Sequence, residues 1–360
     1  TPSPWPDLPS DLAGLVLVRM SSLTDRVRFG SVCRQWHHAS QEQSPALPRA
    51  LPWLNFFEGT FQPFPGGELH RLPFDSQEIP LCLGCSDNWL LHYRHATRRV
   101  GGVDALKLQF LIKKPLSGAI MKLPPCTAVW NFIVCSSDLI VARIADGSPD
   151  PMFIACCRPG SSSWSVSTWT STPHDPVVYF SIAVHQGKVY AVCGQGQLFE
   201  HEVSVDRSTG EPRVSPPKQV IADGGIRNAD QRYLVVSGGL LLMVARCCVD
   251  DDFSMTMWET PEVIVKTTEF QVFQTDLEMS RWCRAVPASA HADYLRGNHI
   301  YFLRIIRGQH VCYPTVPLKA ASSPTSCGVY DLRDNTCHLI PSDSLHIGDR
   351  LRAAWFFPHK

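Results

Sequence analysis

"SDNWLLHY", residues 86–93, is a polar turn running into an apolar strand, and the same turn-then-strand element returns four more times along the chain. It recurs as "SSDLIVARI" at 136–144, "QGKVYAV" at 186–192, "SGGLLLMVA" at 237–245 and "RGNHIYFL" at 296–303. With Trp89, Ile140, Tyr190, Leu241 and Ile300 as equivalent positions, the separations are 51, 50, 51 and 59 residues. A period of this length points to an array of similar units, since one such unit cannot bury its apolar faces alone and stacks on its neighbours. Between the copies lies a second recurring element, a strand, a polar turn and another strand. It reads "KKPLSGAIMKLP" at 113–124, "CRPGSSSWSVSTW" at 157–169, "HEVSVDRSTGEPRV" at 201–214, "TDLEMSRWCRAV" at 275–286 and "YDLRDNTCHLI" at 330–340.

Roughly four strands per ~50-residue period predict a mainly β fold, a kelch-like β-propeller, rather than a sandwich, which has no reason to repeat at this interval. Five blades are countable in the sequence. A sixth can be assembled from the two ends, "PWLNFF" at 52–57 and "RAAWFFP" at 352–358. Pairing the first strand with the last closes the ring and removes the exposed edges of an open array.

Composition agrees and narrows the function. At 360 residues the chain is about twice the usual size of one compact domain. Lys plus Arg (33) equals Asp plus Glu (33), so the overall charge is that of neither a general nucleic-acid binder nor a binder of anionic membranes. With 29 Pro, 23 Gly and only 18% charged residues, the chain is turn-dense, as expected of many short strands. The 14 cysteines fall in apolar runs such as "FIVCSSD", "FIACCRP" and "YAVCGQG", where Cys behaves as a small hydrophobe. A reduced cytoplasmic or nuclear protein is expected, with no Asn-x-Ser/Thr site and no visible signal sequence. The most lipid-like stretch, Leu240 to Ala245, is far short of the ~20 residues that span a bilayer.

The N-terminus is different. In "WPDLPSDLAGLVLVRMSSLTDRVRFGSVCRQWHHAS", residues 5–40, Ser10 can cap a helix whose Leu8, Leu12, Leu15, Val16 and Met20 share one face. A second helix is expected after Thr24 and Asp25, with Phe29, Val32, Cys33 and Trp36 at i, i+3, i+4 and i+7 in one stripe. Two short helices cannot bury both stripes against each other, so part of this surface calls for an outside partner.

These residues resemble an F-box: Leu8-Pro9, Asp11-Leu12, Val16-Leu17, Met20, Asp25-Arg26 and "VCRQW" at 32–36 stand in the order and spacing of plant F-box proteins. The match departs from the commoner pattern at Ala13 and Gly14, and Gly14 is expected to cost the helix up to ~1 kcal/mol. With "PWL", "CSDNWLL", "GKVYAVCGQGQL", "GNHIYF", "GVYDLRDNTCHLI" and "WFFP" following in order, the whole chain is similar to the plant, grass-type F-box proteins that carry the domain of unknown function 295. That resemblance implies an F-box at 5–44, a linker at 45–52 and a six-bladed propeller at 53–358. It further implies a substrate-recognition subunit of an SCF-type (cullin-RING) ubiquitin ligase, whose F-box docks on a Skp-type adaptor and through it on cullin and RING subunits. Leu8, Pro9, Leu12, Val16, Met20 and Trp36 are then the residues of the adaptor interface or of the packing that shapes it. The propeller would present an unknown target protein, and the chain itself would carry no catalytic residue, cofactor or metal.

Loops on a rigid ring carry specificity. The segment from Arg246 to Pro261, with Phe253, Met255, Met257 and Trp258 among acids, is the candidate target-binding site. Other motifs read as structural. Cys82 and Cys85 form a lone Cys-x-x-Cys in an expected inner strand, without the second pair of a zinc site. The adjacent cysteines at 156/157 and 247/248 point to opposite faces of a strand. Gly194-Gln195-Gly196 begins a dinucleotide fingerprint, but Phe199 stands where its third glycine belongs, so a hairpin turn is expected. His92 and His95 fall on opposite strand faces, His37-His38 ends a helix, and Asp250 to Asp252 lack the further oxygen ligands of a calcium loop. Two other readings fit: a binding scaffold outside any ligase, and a propeller enzyme or carbohydrate binder acting through its central funnel, which fold alone cannot establish.

Overall fold

From Leu139 to Ala145, consecutive rather than alternate side chains are buried, with Ile140, Val141 and Ala142 all at 0% exposure. A strand does this only when both faces of its sheet are covered. The computed structural model describes residues 8–20, 22–47, 53–56, 60–63, 67–71, 81–86, 88–100, 103–115, 117–145, 152–167, 178–222, 224, 229, 231–249, 266–284, 299–303, 327–331, 336–340 and 353–356.

Among these residues the strands form six antiparallel sheets. Written from the innermost strand outward, the second blade is Leu81–Ser86, Trp89–Val100, Val103–Lys113 and Ile120–Lys122. The third is Ala128–Ser136, Leu139–Ala145, Met152–Cys157 and Ser165–Val166. The fourth is Tyr179–His185, Lys188–Cys193, Leu198–Val205 and Pro212–Val214, with Lys218–Ile221 added beside Leu198–Val205. The fifth is Gln231–Ser237, Leu240–Val249, Lys266–Asp276 and Arg281–Arg284. Three strands of the sixth are described, His299–Leu303, Cys327–Asp331 and Thr336–Ile340.

The first blade is built from both ends of the chain. Ala353–Phe356 pairs with Trp53–Phe56 in the register Trp53↔Phe356 to Phe56↔Ala353, and Thr60–Pro63 and His70–Arg71 lie beyond. The recurring turn-then-strand motif of the sequence is therefore the second strand of the second to fifth blades, and the second motif is their outer hairpin; in the sixth sheet the same motif supplies His299–Leu303 beside that hairpin. From the first blade to the fifth the innermost strands touch in turn: Ala353–Phe356 on Leu81–Ser86, then Ala128–Ser136, Tyr179–His185 and Gln231–Ser237.

Adjacent residues feed adjacent seams. Ile140, Ala142 and Ile144 meet Trp89, Leu91, Phe110 and Ile112 of the second blade, whereas Val141 joins Tyr179, Ile182, Val189 and Phe199 of the fourth. Cys156 and Cys157 divide in the same way, one to each seam, as strand alternation requires. Leu234, Leu241, Met243 and Ala245 pack on Tyr190, Val192 and Leu198, and Val244 and Phe270 pack on Tyr330.

Polar stitches reinforce the seams. Arg143 Nη1 donates to the Tyr179 carbonyl, and burial lowers its guanidinium to about 10, leaving it charged at neutral pH. The Leu234 N–H donates to Ser181 Oγ at 3.0 Å, and Trp282 Nε1 donates to the Gly196 carbonyl at 2.8 Å. The Gly194-Gln195-Gly196 motif has a backbone reason, since Gly196 sits at a φ of 84°, a conformation that favours glycine. It is the turn between Lys188–Cys193 and Leu198–Val205, and Gly224 lies flat against it. A Cβ on Gly224 would overlap the Gln195 carbonyl oxygen, a clash with backbone that no rotamer relieves. Gly224→Ala is therefore expected to lower stability by ~3 kcal/mol or more, as other severe core clashes do, and a chemical-denaturation midpoint within error of the parent would refute this.

Before the propeller stand three helices, where the sequence predicts two and leaves room for a third: α1, Ser10–Arg19; α2, Leu23–Gly30; and α3, Arg34–Gln43, followed by a 3-10 turn at Ser44–Ala46. The expected single stripe of Phe29, Val32, Cys33 and Trp36 is corrected, because the helix stops at Gly30 and Val32 is 62% exposed in the turn. Phe29 and Trp36 still meet, stacked at 4.3 Å across that turn. Ser10 does not cap α1 either. Pro9 occupies the cap position without a side-chain bond, and Ser10 Oγ donates to Glu42 Oε2 at 2.8 Å, tying α1 to α3.

Candidate protein-docking face

Ala13, Gly14 and Leu17 form the buried side of α1. Small residues let α1 sit close on α3: a Cβ at Gly14 would come 2.9 Å from Gln43 Cδ. The departure from the usual pattern at Ala13 and Gly14 thus marks the helix contact, and the closeness offsets the propensity cost of glycine. Three large apolar residues of α1 consequently point away from the unit. Leu12 is 48% exposed, Leu15 55% and Val16 38%, one row at i, i+3 and i+4. Val18, Val27 and Val32 are also exposed. Isolated exposed apolar residues are ordinary, but a row of three on one helix face is a candidate interaction surface.

The residues singled out in the sequence separate into two groups. Leu12 and Val16 lie on this outward row, and Pro9, exposed, leads into it. Leu8, Met20 and Trp36 are half-buried against Ala13, Leu17, Phe29 and Ala39, so they shape the helical core. Leu15 completes the row and had the right spacing to be included. The unit is pinned by further bonds. Gln35 Nε2 donates to the Leu8 carbonyl at 3.3 Å, Arg26 Nε to the Met20 carbonyl at 2.8 Å, and the Trp36 N–H to Cys33 Sγ at 3.5 Å, where the thiol caps α3. Burial lowers the Arg26 pKa. Beside the α2–α3 turn, Gly30, Ser31, Cys33, Arg34, His37 and His38 line an open cleft of about 390 Å³, and His37 Nδ1 lies 3.2 Å from the Gly30 carbonyl.

The propeller candidates are less concentrated. Phe253, Met255, Met257, Trp258 and the Asp250 to Asp252 run lie outside the described residues. His92 is buried, and desolvation together with the Lys113 charge lowers it to about 4, so it is neutral at physiological pH. The side chains of His95, Cys82 and Cys248 are likewise outside the described set. Among the described residues no three His, Cys, Asp or Glu side chains gather as metal ligands, and no helix is long and apolar enough to cross a membrane. Burial raises the Cys156 thiol to about 11 and the Cys157 thiol to about 12, far above the usual range, which leaves almost no thiolate at neutral pH. Both are expected to stay unmodified by a thiol-specific alkylating reagent at pH 8 until the protein is unfolded. Peptide mass spectrometry showing either one labelled in the native state at the rate of a free thiol would contradict this packing.

Three short helices presenting an apolar row, ahead of six antiparallel sheets in the first of which the first and last described strands pair, define an F-box protein with a β-propeller. The F-box domain model matches residues 5–45, and the KIB1-4 beta-propeller model matches residues 61–288. The chain belongs to the KIB1-4 β-propeller family. It is similar to the "Putative F-box protein At3g25750" of Arabidopsis thaliana, with 23% identity over 308 residues, covering 77% of each chain. Among solved structures, YjhT is 10% identical over 78% of this chain and 90% of its own, at a TM-score of 0.36. HIRA(644-1017) is 11% identical over 59% of this chain and 56% of its own, at 0.29. Such low scores carry no weight, and the propeller assignment rests on the sheets and the family match.

Proposed function

We propose that this protein is the substrate-recognition subunit of an SCF-type ubiquitin ligase, docking on a Skp-type adaptor through α1 and holding a target protein on its propeller. The observation that carries it is the outward row of Leu12, Leu15 and Val16 on a helical unit matched by the F-box model. The match to a plant F-box protein supports a plant origin and, with the ~50-residue repeat, kinship with the kelch-like domain of unknown function 295. In this role the chain accelerates transfer by proximity, holding a target lysine near a charged conjugating enzyme, and contributes no catalytic side chain. The buried, unbridged thiols of Cys156, Cys157 and Cys193 support a cytoplasmic or nuclear site of action. Affinity purification of the tagged full chain tests the reading: a Skp-type adaptor and a cullin are expected to co-purify. A chain that retains other partners but neither of these would be a scaffold outside the ligase.

A further inference from the structure

Leu23 opens α2, yet its side chain belongs to a different core from that of the helical unit. The unit's core is Ala13, Leu17, Phe29 and Ala39, with Leu8, Met20, Trp36 and Leu47 against it. Leu23 packs instead, beside Cys85, on Trp53, Phe61 and Leu90, the cluster that seals the first blade to the second. Trp53 begins the strand that pairs with Ala353–Phe356, the register that shuts the ring. Near it Arg28 Nη2 lies 3.6 Å from Glu68 Oε2, an exposed pair that adds little. One apolar side chain of the F-box thus covers the seam next to the ring's closure.

We propose that Leu23 couples the two units, so that capture of a Skp-type adaptor on the row Leu12, Leu15 and Val16 tightens closure of the propeller, and closure tightens adaptor binding. This rests on the adaptor reading above. The two states are a folded helical unit with Leu23 seated, and an opened unit with Leu23 withdrawn and the Trp53, Phe61 and Leu90 cluster uncovered on that side. A unit with so few buried apolar residues opens locally at low free energy. A partner that binds only its folded form reduces the open population by mass action, and with it the time for which the seam is uncovered. Linkage makes the effect reciprocal. Leu23 lies off the docking row, so it is a positioning residue rather than a contact for the adaptor.

Hydrogen-deuterium exchange on the full chain, with and without a purified Skp-type adaptor, reads this directly. Peptides spanning 53–56 and 353–356 are expected to gain about five- to tenfold protection on adaptor binding, the low end of common coupling energies. Leu23→Ala is expected to abolish that gain and to speed exchange of the same peptides in the free chain, and Leu23→Met to restore both. By reciprocity, Leu23→Ala lowers adaptor affinity by no more than the same factor. Leu23 is outside the helical core, so the variant's circular dichroism should match the parent's and confirm that it folds. Adaptor binding without added protection, or protection that survives Leu23→Ala, overturns the coupling and leaves the adaptor reading standing. Failure of the parent chain to bind the adaptor overturns both.

Discussion

Replacing Leu12 and Val16 together by Asp is expected to reduce affinity for a Skp-type adaptor a hundredfold or more while leaving the protein folded. The two side chains stand one helical turn apart on the outward row of α1, exposed by 48% and 38%. In the free protein the new carboxylates remain in water and cost little. In a complex that buries the row they lose their hydration without a partner, and a loss of ~2.8 kcal/mol, well within that penalty, already equals a hundredfold. The contrast with Leu17→Asp sharpens the test. Leu17 is fully buried beneath the row, so that substitution is expected to unfold the helical unit itself. Titration calorimetry with circular dichroism separates the cases, and a double variant that binds like the parent would mean the row is not the docking face.

Removing residues 353–360 is expected to have the largest effect on the propeller. Trp53 and Leu54 are buried at 6% and 0% exposure, and their strand takes its inner hydrogen bonds from Ala353–Phe356. Without that partner the strand becomes an open edge with unpaired backbone groups, the usual starting point for aggregation. We expect a lower, broader melt and rising light scattering on heating. A chain lacking residues 1–50 keeps all six sheets and is expected to melt cooperatively within a few degrees of the parent, since a change of about 1 kcal/mol moves the midpoint of a domain this size by only a few degrees. Should the C-terminal deletion melt at the parent's temperature, the ring is not closed by its ends.

The propeller was legible because its signal is repeated. Inner strands covered on both faces read as unbroken apolar runs between turns, and "SSDLIVARI" or "SGGLLLMVA" can hardly be anything else at a fixed interval. Pairing of the two ends was legible for the same reason, as Trp53 and Trp355 each sit in a strand lacking a blade of its own. The division of the helical unit was not. The i, i+3, i+4, i+7 spacing of Phe29, Val32, Cys33 and Trp36 continues across a real break, and the residue that restarts the chain in α3 is a cysteine cap, a type that sequence rules seldom reward. Nor did spacing alone show which apolar side of α1 faces inward; Ala13 and Gly14, the departure from the commoner pattern, hold that information, because only a small-residue side admits another helix so closely. Gly224 is similar: its partner, the turn at Gln195 and Gly196, becomes adjacent only once the fourth blade has formed.

Closure of the first blade by the last strand also sets a timetable for synthesis. Trp53–Phe56 leaves the ribosome early, but its partner Ala353–Phe356 is made about 300 residues later. At common elongation rates of ~5–20 residues per second, the wait is about 15 to 60 s. For that interval every nascent copy carries an apolar strand with a bare edge, while the middle blades, made of contiguous sequence, can already stack. Copies on neighbouring ribosomes of one message hold the same edge at the same moment. Pairing with the last strand therefore covers that edge only when synthesis is nearly complete.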